Sequence, residues 1–251
     1  MIFLPRRVLH ISDCHLVAAG ETLLETDTEA TLISVLQHAF AEISPSRCDA
    51  LIASGDLAHL PIQEVYRRFY NIVSEHFSGP LLCLPGNHDV LQAMQDAELP
   101  MQSIVWSDWQ LLALDSHEDD KPKSLVTEAD RQAAQQALIH TSARHVLLAT
   151  HHPLVDVQCP WLDKDRLIGP LELMNWLHAV SEQRLRGAVF GHVHQDIADA
   201  VGPWPVYGVP STCFQFQPRS HRFALDTAAP GYQWLELQDD GKIKRTVRRI
   251  S

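Results

Sequence analysis

The sequence predicts a layered α/β domain. Three features carry that expectation. Apolar runs rich in Val, Ile and Leu alternate with segments of helical periodicity as far as about residue 190. After Val201 the texture changes to short apolar pieces punctuated by Gly, Pro and aromatic residues. Wherever an apolar run of the first part stops, an Asp, Asn or His follows. The chain has 251 residues, 45% hydrophobic and 20% charged, enough to bury a sizeable core. It contains no internal repeat and no low-complexity linker, so residues 1–251 are expected to form one domain.

The elements follow in order. VLHIS (8–12) reads as a strand, and TEATLISVLQHAFAEI (28–43) carries apolar residues at helical spacing. ALIAS (50–54) reads as a buried strand, residues 62–76 as a helix, and PLLCLPG (80–86) as a strand ending in a turn. IVW and WQLLALD within 104–115 suggest a hairpin, 127–140 a helix, and HVLLATHH (145–152) a strand. Residues 170–183 look helical and LRGAVFGH (185–192) is again a strand. WPVYGVP, STCFQFQ, GYQWLELQ and IKRTVRRI read as antiparallel strands joined by tight turns. The last alternates basic and apolar residues, as an edge strand with a charged solvent face does.

The strand ends carry the chemistry. VLHIS runs into Asp13 and His15, ALIAS into Gly55-Asp56, and PLLCLP into Gly86-Asn87-His88-Asp89. HVLLAT runs into His151-His152-Pro153 and LRGAVF into Gly191-His192-Val193-His194. Ligands of open α/β sheets bind outside the carboxyl ends of strands, so five strands aim these groups at one edge. Imidazole, carboxylate and amide oxygen suit divalent transition metals such as Mn, Fe, Co or Zn. Asp13, His15, Asp56, Asn87, His151, His192 and His194 exceed what one ion needs and match two ions sharing a carboxylate, a pair that clamps attacking and leaving oxygens at phosphorus. Each motif alone is weak: a lone DxH, a GNHD turn or two solvated histidines at a strand end need no metal. In GHVH, strand alternation would send both imidazoles to one face, with Val193 pointing into packing and Gly191 leaving room for the backbone to turn in. Alternation likewise points Cys14 away from its neighbours.

Taken together and in this order, DCH, GDL, GNHD, HHP and GHVH resemble the motif set of the calcineurin-like metallophosphoesterases over residues 13–194. The resemblance implies a four-layer αββα sandwich of two mixed β-sheets flanked by helices, with a binuclear centre at the sheet ends. It implies that Asp13, His15, Asp56 and His194 hold one metal, that Asp56 bridges, and that Asn87, His151 and His192 complete the second. In HHP the family's ligand is the histidine two places before the proline, which implies His151 rather than His152. His88 would sit over the substrate without binding metal. The implied cofactors are two divalent ions, Fe and Mn first, with Zn, Co or Ni as alternatives.

The segments GETLLETDTEATL, QCPWLD (158–163), VPSTCFQFQP (209–218) and FALDTAAPGYQWLEL (223–237) lie outside the metal motifs and look like those of bacterial class III 3′,5′-cyclic nucleotide phosphodiesterases. That narrower resemblance implies hydrolysis of cyclic AMP to 5′-AMP by a hydroxide bridging the metals. Asn87 and His88 would meet the substrate, and His88 would protonate the leaving 3′-oxygen. Asp89 either orients His88 or caps the helix that LQAMQDAEL suggests. His59 is a candidate pocket residue, His10 a structural histidine, and His117 and the stretch SHEDDKPKS (116–124) have no assigned role. Asp115 fits no metal motif.

The remaining properties narrow the partners. The net charge of −11 argues against a nucleic-acid polymer, and no basic amphipathic or membrane-length apolar segment points to a lipid surface. Five scattered cysteines without a CxxC, and an N-terminus unlike a signal peptide, predict reduced thiols in the cytoplasm. The expected partner is a small cyclic nucleotide; oligomeric state is not encoded in any visible pattern. The alternatives are a broader phosphodiesterase or phosphomonoesterase acting on 2′,3′-cyclic nucleotides or other nucleotide esters, and, remotely, a non-catalytic scaffold. A scaffold is expected to lack some of the ligands, and this chain has the full set.

Overall fold

The structure is a computed structural model that describes residues 4–119 and 121–250. Its elements are β1 (Arg6–Ile11), α1 (Thr28–Glu42), β2 (Ala50–Ala53), α2 (Gln63–His76), β3 (Leu81–Cys83), α3 (Leu91–Asp96), β4 (Ile104–Val105), β5 (Trp109–Ala113), α4 (Glu128–Ile139) and β6 (His145–Ala149). They continue with α5 (Pro160–Asp163), α6 (Pro170–Val180), β7 (Leu185–Phe190), β8 (Ile197–Val201), β9 (Trp204–Gly208), β10 (Gln215–Phe216), β11 (Leu225–Asp226), β12 (Gly231–Leu237) and β13 (Ile243–Arg249).

Two mixed sheets form the centre. One has the order β13-β12-β1-β2-β3 and the other β4-β5-β6-β7-β9-β8. In the first, β1, β2 and β3 are parallel while β12 runs antiparallel to β1. In the second, β5, β6, β7 and β9 are parallel and the flanking β4 and β8 antiparallel. Parallel strands buried on both faces are continuously apolar, and the two-residue period decides which layer each side chain joins. Val8, Ile52, Leu147, Val189 and Leu235 meet between the sheets. Their neighbours Leu9, Leu51 and Trp234 face α1 and α2, whereas Leu148, Phe190 and Val206 face α4 and α6. The outcome is the expected αββα sandwich.

The helices stop and start where local chemistry dictates. Asp27 caps α1 by accepting from Ala30 N at 2.9 Å, and Thr127 with Asp130 forms a capping box at α4. On α2, Val65, Tyr66, Phe69, Ile72 and Val73 recur at helical spacing and are buried. Between the sheets, Arg6 reaches both Asp49 and Asp108 at 3.0 Å.

The tail departs from the expectation in three places. WPVYG pairs in parallel with β7 and antiparallel only with β8, a strand whose IADAV sequence gave no signal. In STCFQFQ only Gln215 and Phe216 form a strand, in a two-stranded sheet with β11. The residues before them form the loop beneath the site, where side-chain bonds replace a ladder: Ser211 Oγ donates to Asp13 O at 2.8 Å. GYQWLELQ and IKRTVRRI do form a hairpin, and its second strand is the edge of the five-stranded sheet. Among the described residues, no helix is long and apolar enough to cross a membrane.

Candidate metal centre

The loops after β1, β2, β3, β6 and β7 converge at one end of the sandwich, between the two sheets. They do so through strained backbone. Asp13, His15, Asp56, His192 and His194 all lie in the left-handed region, with φ between 46° and 68°. Non-glycine residues adopt it sparingly, and such strain gathers at functional sites. The two imidazoles of GHVH are therefore brought together by tight turns beyond the end of β7, and strand alternation plays no part. Val193 is buried in the helix-side core, and Cys14 is buried away from the site.

Two glycines make the approach possible. A Cβ on Gly191 would lie 1.9 Å from Ser12 Oγ and 3.0 Å from Asp13 Oδ2. A Cβ on Gly55, whose φ is +101°, would lie 2.4 Å from His151 Nδ1.

The side chains form two adjoining groups about one carboxylate. His15 Nε2 lies 3.1 Å from His194 Nε2, and His194 Nε2 lies 3.6 Å from Asp13 Oδ1. Asn87 Oδ1 lies 2.8 Å from His192 Nδ1 and 3.2 Å from His151 Nε2. Asp56 Oδ2 stands between them, 3.6 Å from His15 Nε2 and 3.5 Å from His151 Nε2. Its Oδ1 accepts from the His88 backbone at 2.8 Å, which leaves Oδ2 to face the imidazoles. All seven sequence candidates are brought to one place.

Which nitrogen points inward is set from outside. His151 Nδ1 pairs with Ser54 O at 2.8 Å and His194 Nδ1 with Phe214 O at 2.8 Å; a carbonyl only accepts, so each Nδ1 carries the proton and each Nε2 offers a lone pair to the centre. His152 lies beside His151 and His192 but differs: its Nδ1 meets Ser116 Oγ at 3.0 Å and its Nε2 meets Pro122 O at 3.2 Å, so both nitrogens already have partners. Ser116 and Pro122, from the stretch that had no assigned role, thus hold the His152 ring.

The charges fit a cation. Burial holds His15 and His192 well below the ordinary imidazole range and His194 at about 3, so these rings are neutral donors. Burial and the Asp56 carboxylate push Asp13 well above its usual value. Burial opposes ionisation of Asp56 as well, but the surrounding imidazoles and the His88 backbone N–H favour the carboxylate and hold Asp56 below its usual range. His15 Nδ1 and His192 Nε2 are buried without a hydrogen-bond partner. No outer partner among the described residues fixes the tautomer of these two rings, so each is free to turn a lone pair toward an ion. The set of imidazole, carboxylate and amide oxygen matches a divalent transition metal.

Other residues fall where the sequence left them open or elsewhere. His88 is exposed, its ring 4.9 Å from His15 and 5.1 Å from His59, which is exposed beside it at the rim. His10 is buried, bonded to Ser54 Oγ and Gln233 Nε2. Asp89 takes neither expected role. Its carboxylate accepts from Leu57 N, Ala58 N, Gly86 N and Tyr66 Oη, tying the loop after β2 to the loop after β3. Residue 90, not Asp89, occupies the cap position of α3. His117 pairs with Asp115 at 2.9 Å and Asp119 at 2.8 Å.

Residues 6–196 match the family model described as calcineurin-like phosphoesterase. The chain is 32% identical over 248 residues to a Pseudomonas aeruginosa protein named 3′,5′-cyclic adenosine monophosphate phosphodiesterase CpdA, covering 97% of this chain and 89% of that one. It is 33% identical over 258 residues to the protein of the same name from Escherichia coli K12, covering 98% and 90%. Among solved structures, a dimetal phosphatase from Danio rerio shares the fold, with a TM-score of 0.58 at 13% identity over 99% of this chain and 100% of that one.

Proposed function

The chain belongs to the calcineurin-like phosphoesterase family, and on that premise we propose that it hydrolyses 3′,5′-cyclic AMP to 5′-AMP at a binuclear centre of divalent metals. It is a metallophosphoesterase; the substrate and the two-metal centre are the proposed parts. The observation that carries the two-metal reading is the single Asp56 oxygen placed between His15 and His151, each with its own group of donors. The substrate reading rests on relatives named as cyclic AMP phosphodiesterases that span nearly the whole chain.

Asp13, His15, Asp56 and His194 would hold one ion and Asn87, His151 and His192 the other, with Asp56 common to both. Iron and manganese suit these donors, as do zinc, cobalt and nickel. When bound, the pair supplies a hydroxide near neutral pH and polarises the phosphodiester. The chain does the rest. The buried imidazoles and carboxylates hold a fixed pocket that orients the ester, and the Ser54 and Phe214 carbonyls keep His151 and His194 in one tautomer. His88, exposed over the centre, donates a proton to the leaving 3′-oxygen, and Asn87 steadies the phosphate beside it.

The five free cysteines are buried, which supports a reducing compartment such as the cytoplasm. The test is a panel of 3′,5′-cyclic AMP, 2′,3′-cyclic AMP, cyclic GMP, bis-p-nitrophenyl phosphate and p-nitrophenyl phosphate with Mn, Fe and Zn. Hydrolysis of 3′,5′-cyclic AMP to 5′-AMP is expected; turnover confined to monoesters would overturn the reading.

A further inference from the structure

Segments 158–163, 209–218 and 223–237 lie far from the metal motifs in sequence, yet in the fold they meet beside His194. The Phe216 ring stacks on His194 with centroids 4.0 Å apart, and it also meets Trp161 at 4.9 Å, Phe223 at 5.6 Å and Phe214 at 5.9 Å. A groove of about 410 Å³ starts at His194 and runs between these segments and β8. Its floor is apolar at Phe216, and three amide side chains line it: Gln158, Gln195 and Gln215.

The charge of the groove limits its occupant. Asp156, Asp196, Asp199 and Asp226 line it against Arg219 and Arg249. Two of the carboxylates are paired besides, Asp196 with Arg245 and Asp156 with Arg166, so the groove is close to neutral and suits the uncharged part of a nucleotide whose phosphate sits at the metals.

Gln215 is the informative residue. It is 1% exposed, and its Nε2 donates to Ser211 O at 2.9 Å. That bond fixes which way the amide faces. The Oε1 is buried and has no donor. A buried acceptor left without a partner is costly, and a ligand N–H relieves it. Adenine presents an exocyclic amine on its edge; guanine and hypoxanthine present a carbonyl at the same position. Since the Ser211 bond prevents the amide from flipping, Gln215 can accept there and cannot donate.

Resting on the cyclic-nucleotide reading, we propose that this groove binds the base of the substrate and that Gln215 Oε1 accepts from the exocyclic amine, selecting adenine over 6-oxopurines.

The experiment measures kcat/KM of the Mn-loaded enzyme for 3′,5′-cyclic AMP, 3′,5′-cyclic IMP and the base-free ester bis-p-nitrophenyl phosphate. The wild type is expected to favour cyclic AMP over cyclic IMP by about 10- to 100-fold. Gln215→Leu, or Gln215→Met should the first variant fail to fold, is expected to bring that ratio within about 3-fold, mainly by raising KM for cyclic AMP. Rates are normalised to bis-p-nitrophenyl phosphate, so a general loss of activity does not imitate the result. A wild-type ratio within about 3-fold, or a folded variant that keeps the wild-type ratio, overturns the groove assignment and leaves the cyclic-nucleotide reading standing. Turnover of bis-p-nitrophenyl phosphate with neither cyclic nucleotide hydrolysed overturns both.

Discussion

Asp56 Oδ2 lies 3.5 Å from His151 Nε2, while the other oxygen of the same carboxylate is held by the His88 amide at 2.8 Å. The carboxylate is thus oriented by the chain before any ligand arrives. Asp56→Ala removes the group common to both donor sets and is expected to lose both metals and at least about 10³-fold in kcat. Elemental analysis and turnover check this; a variant that retains two ions per chain would refute the shared-ligand geometry.

His151 and His152 are adjacent but face different tasks. His151→Ala is expected to lower metal content and activity by about 10²-fold or more. His152→Ala should keep its metals and most of its rate, and lose about 1–2 kcal/mol of stability as Ser116 Oγ and Pro122 O lose a partner. The reverse order of effects would move the ligand by one residue.

His88→Ala should keep both metals and lose about 10²–10³-fold in kcat with an ester whose leaving oxygen needs a proton. The loss should shrink with p-nitrophenyl leaving groups, which depart unprotonated. An equal loss with both kinds of ester would remove His88 as the proton donor.

Asp89→Asn keeps the size of the side chain but turns an amide N–H₂ toward backbone N–H donors that now point at a carboxylate. A loss of about 1–3 kcal/mol in urea unfolding is expected. Metal affinity should weaken too, because Gly86 and Leu57 flank Asn87 and Asp56. Wild-type stability would show that the four bonds to Asp89 contribute little.

His117 carries the clearest pH dependence. Burial alone would lower its pKa, but Asp115 and Asp119 outweigh it and raise the ring to about 9. A folded-state pKa above the ordinary value of about 6.5 adds stability that is fully present below about 6.5 and lost as pH rises through about 9. His117→Gln should therefore cost about 1–2 kcal/mol near pH 6, allowing for solvent screening at half-exposed Asp119, and almost nothing near pH 10. A gap independent of pH would mean that His117 is neutral in the fold.

The metal motifs were legible because each is local: a strand signal followed by polar residues of one kind. The helices were legible for the same reason, with caps such as Asp27 and Thr127 written beside them. What the sequence hid depends on distant partners. The bonds of Asp89 come from residues up to 32 positions away, and the engagement of His152 comes from Ser116, 36 away. IADAV has little strand propensity, and it becomes β8 by pairing with β9. The left-handed turns fall on His192 and His194 themselves, residue types that adopt that region sparingly, and the crowding of Gly191 against Ser12 and Asp13 shows how tightly the chain turns there.

The place of β12 in the sheet gives the polypeptide an order of events. The strand that delivers Asp13 and His15 has β2 on one side and β12, some 220 positions later, on the other: Val8 stands opposite Leu235. During synthesis that flank stays open until the final hairpin has left the ribosome, and contacts of such long sequence separation form slowly. The pocket for the ions is therefore finished only once β12 has emerged, and a nascent chain stalled before residue 231 has the ligand residues without the scaffold that aims them.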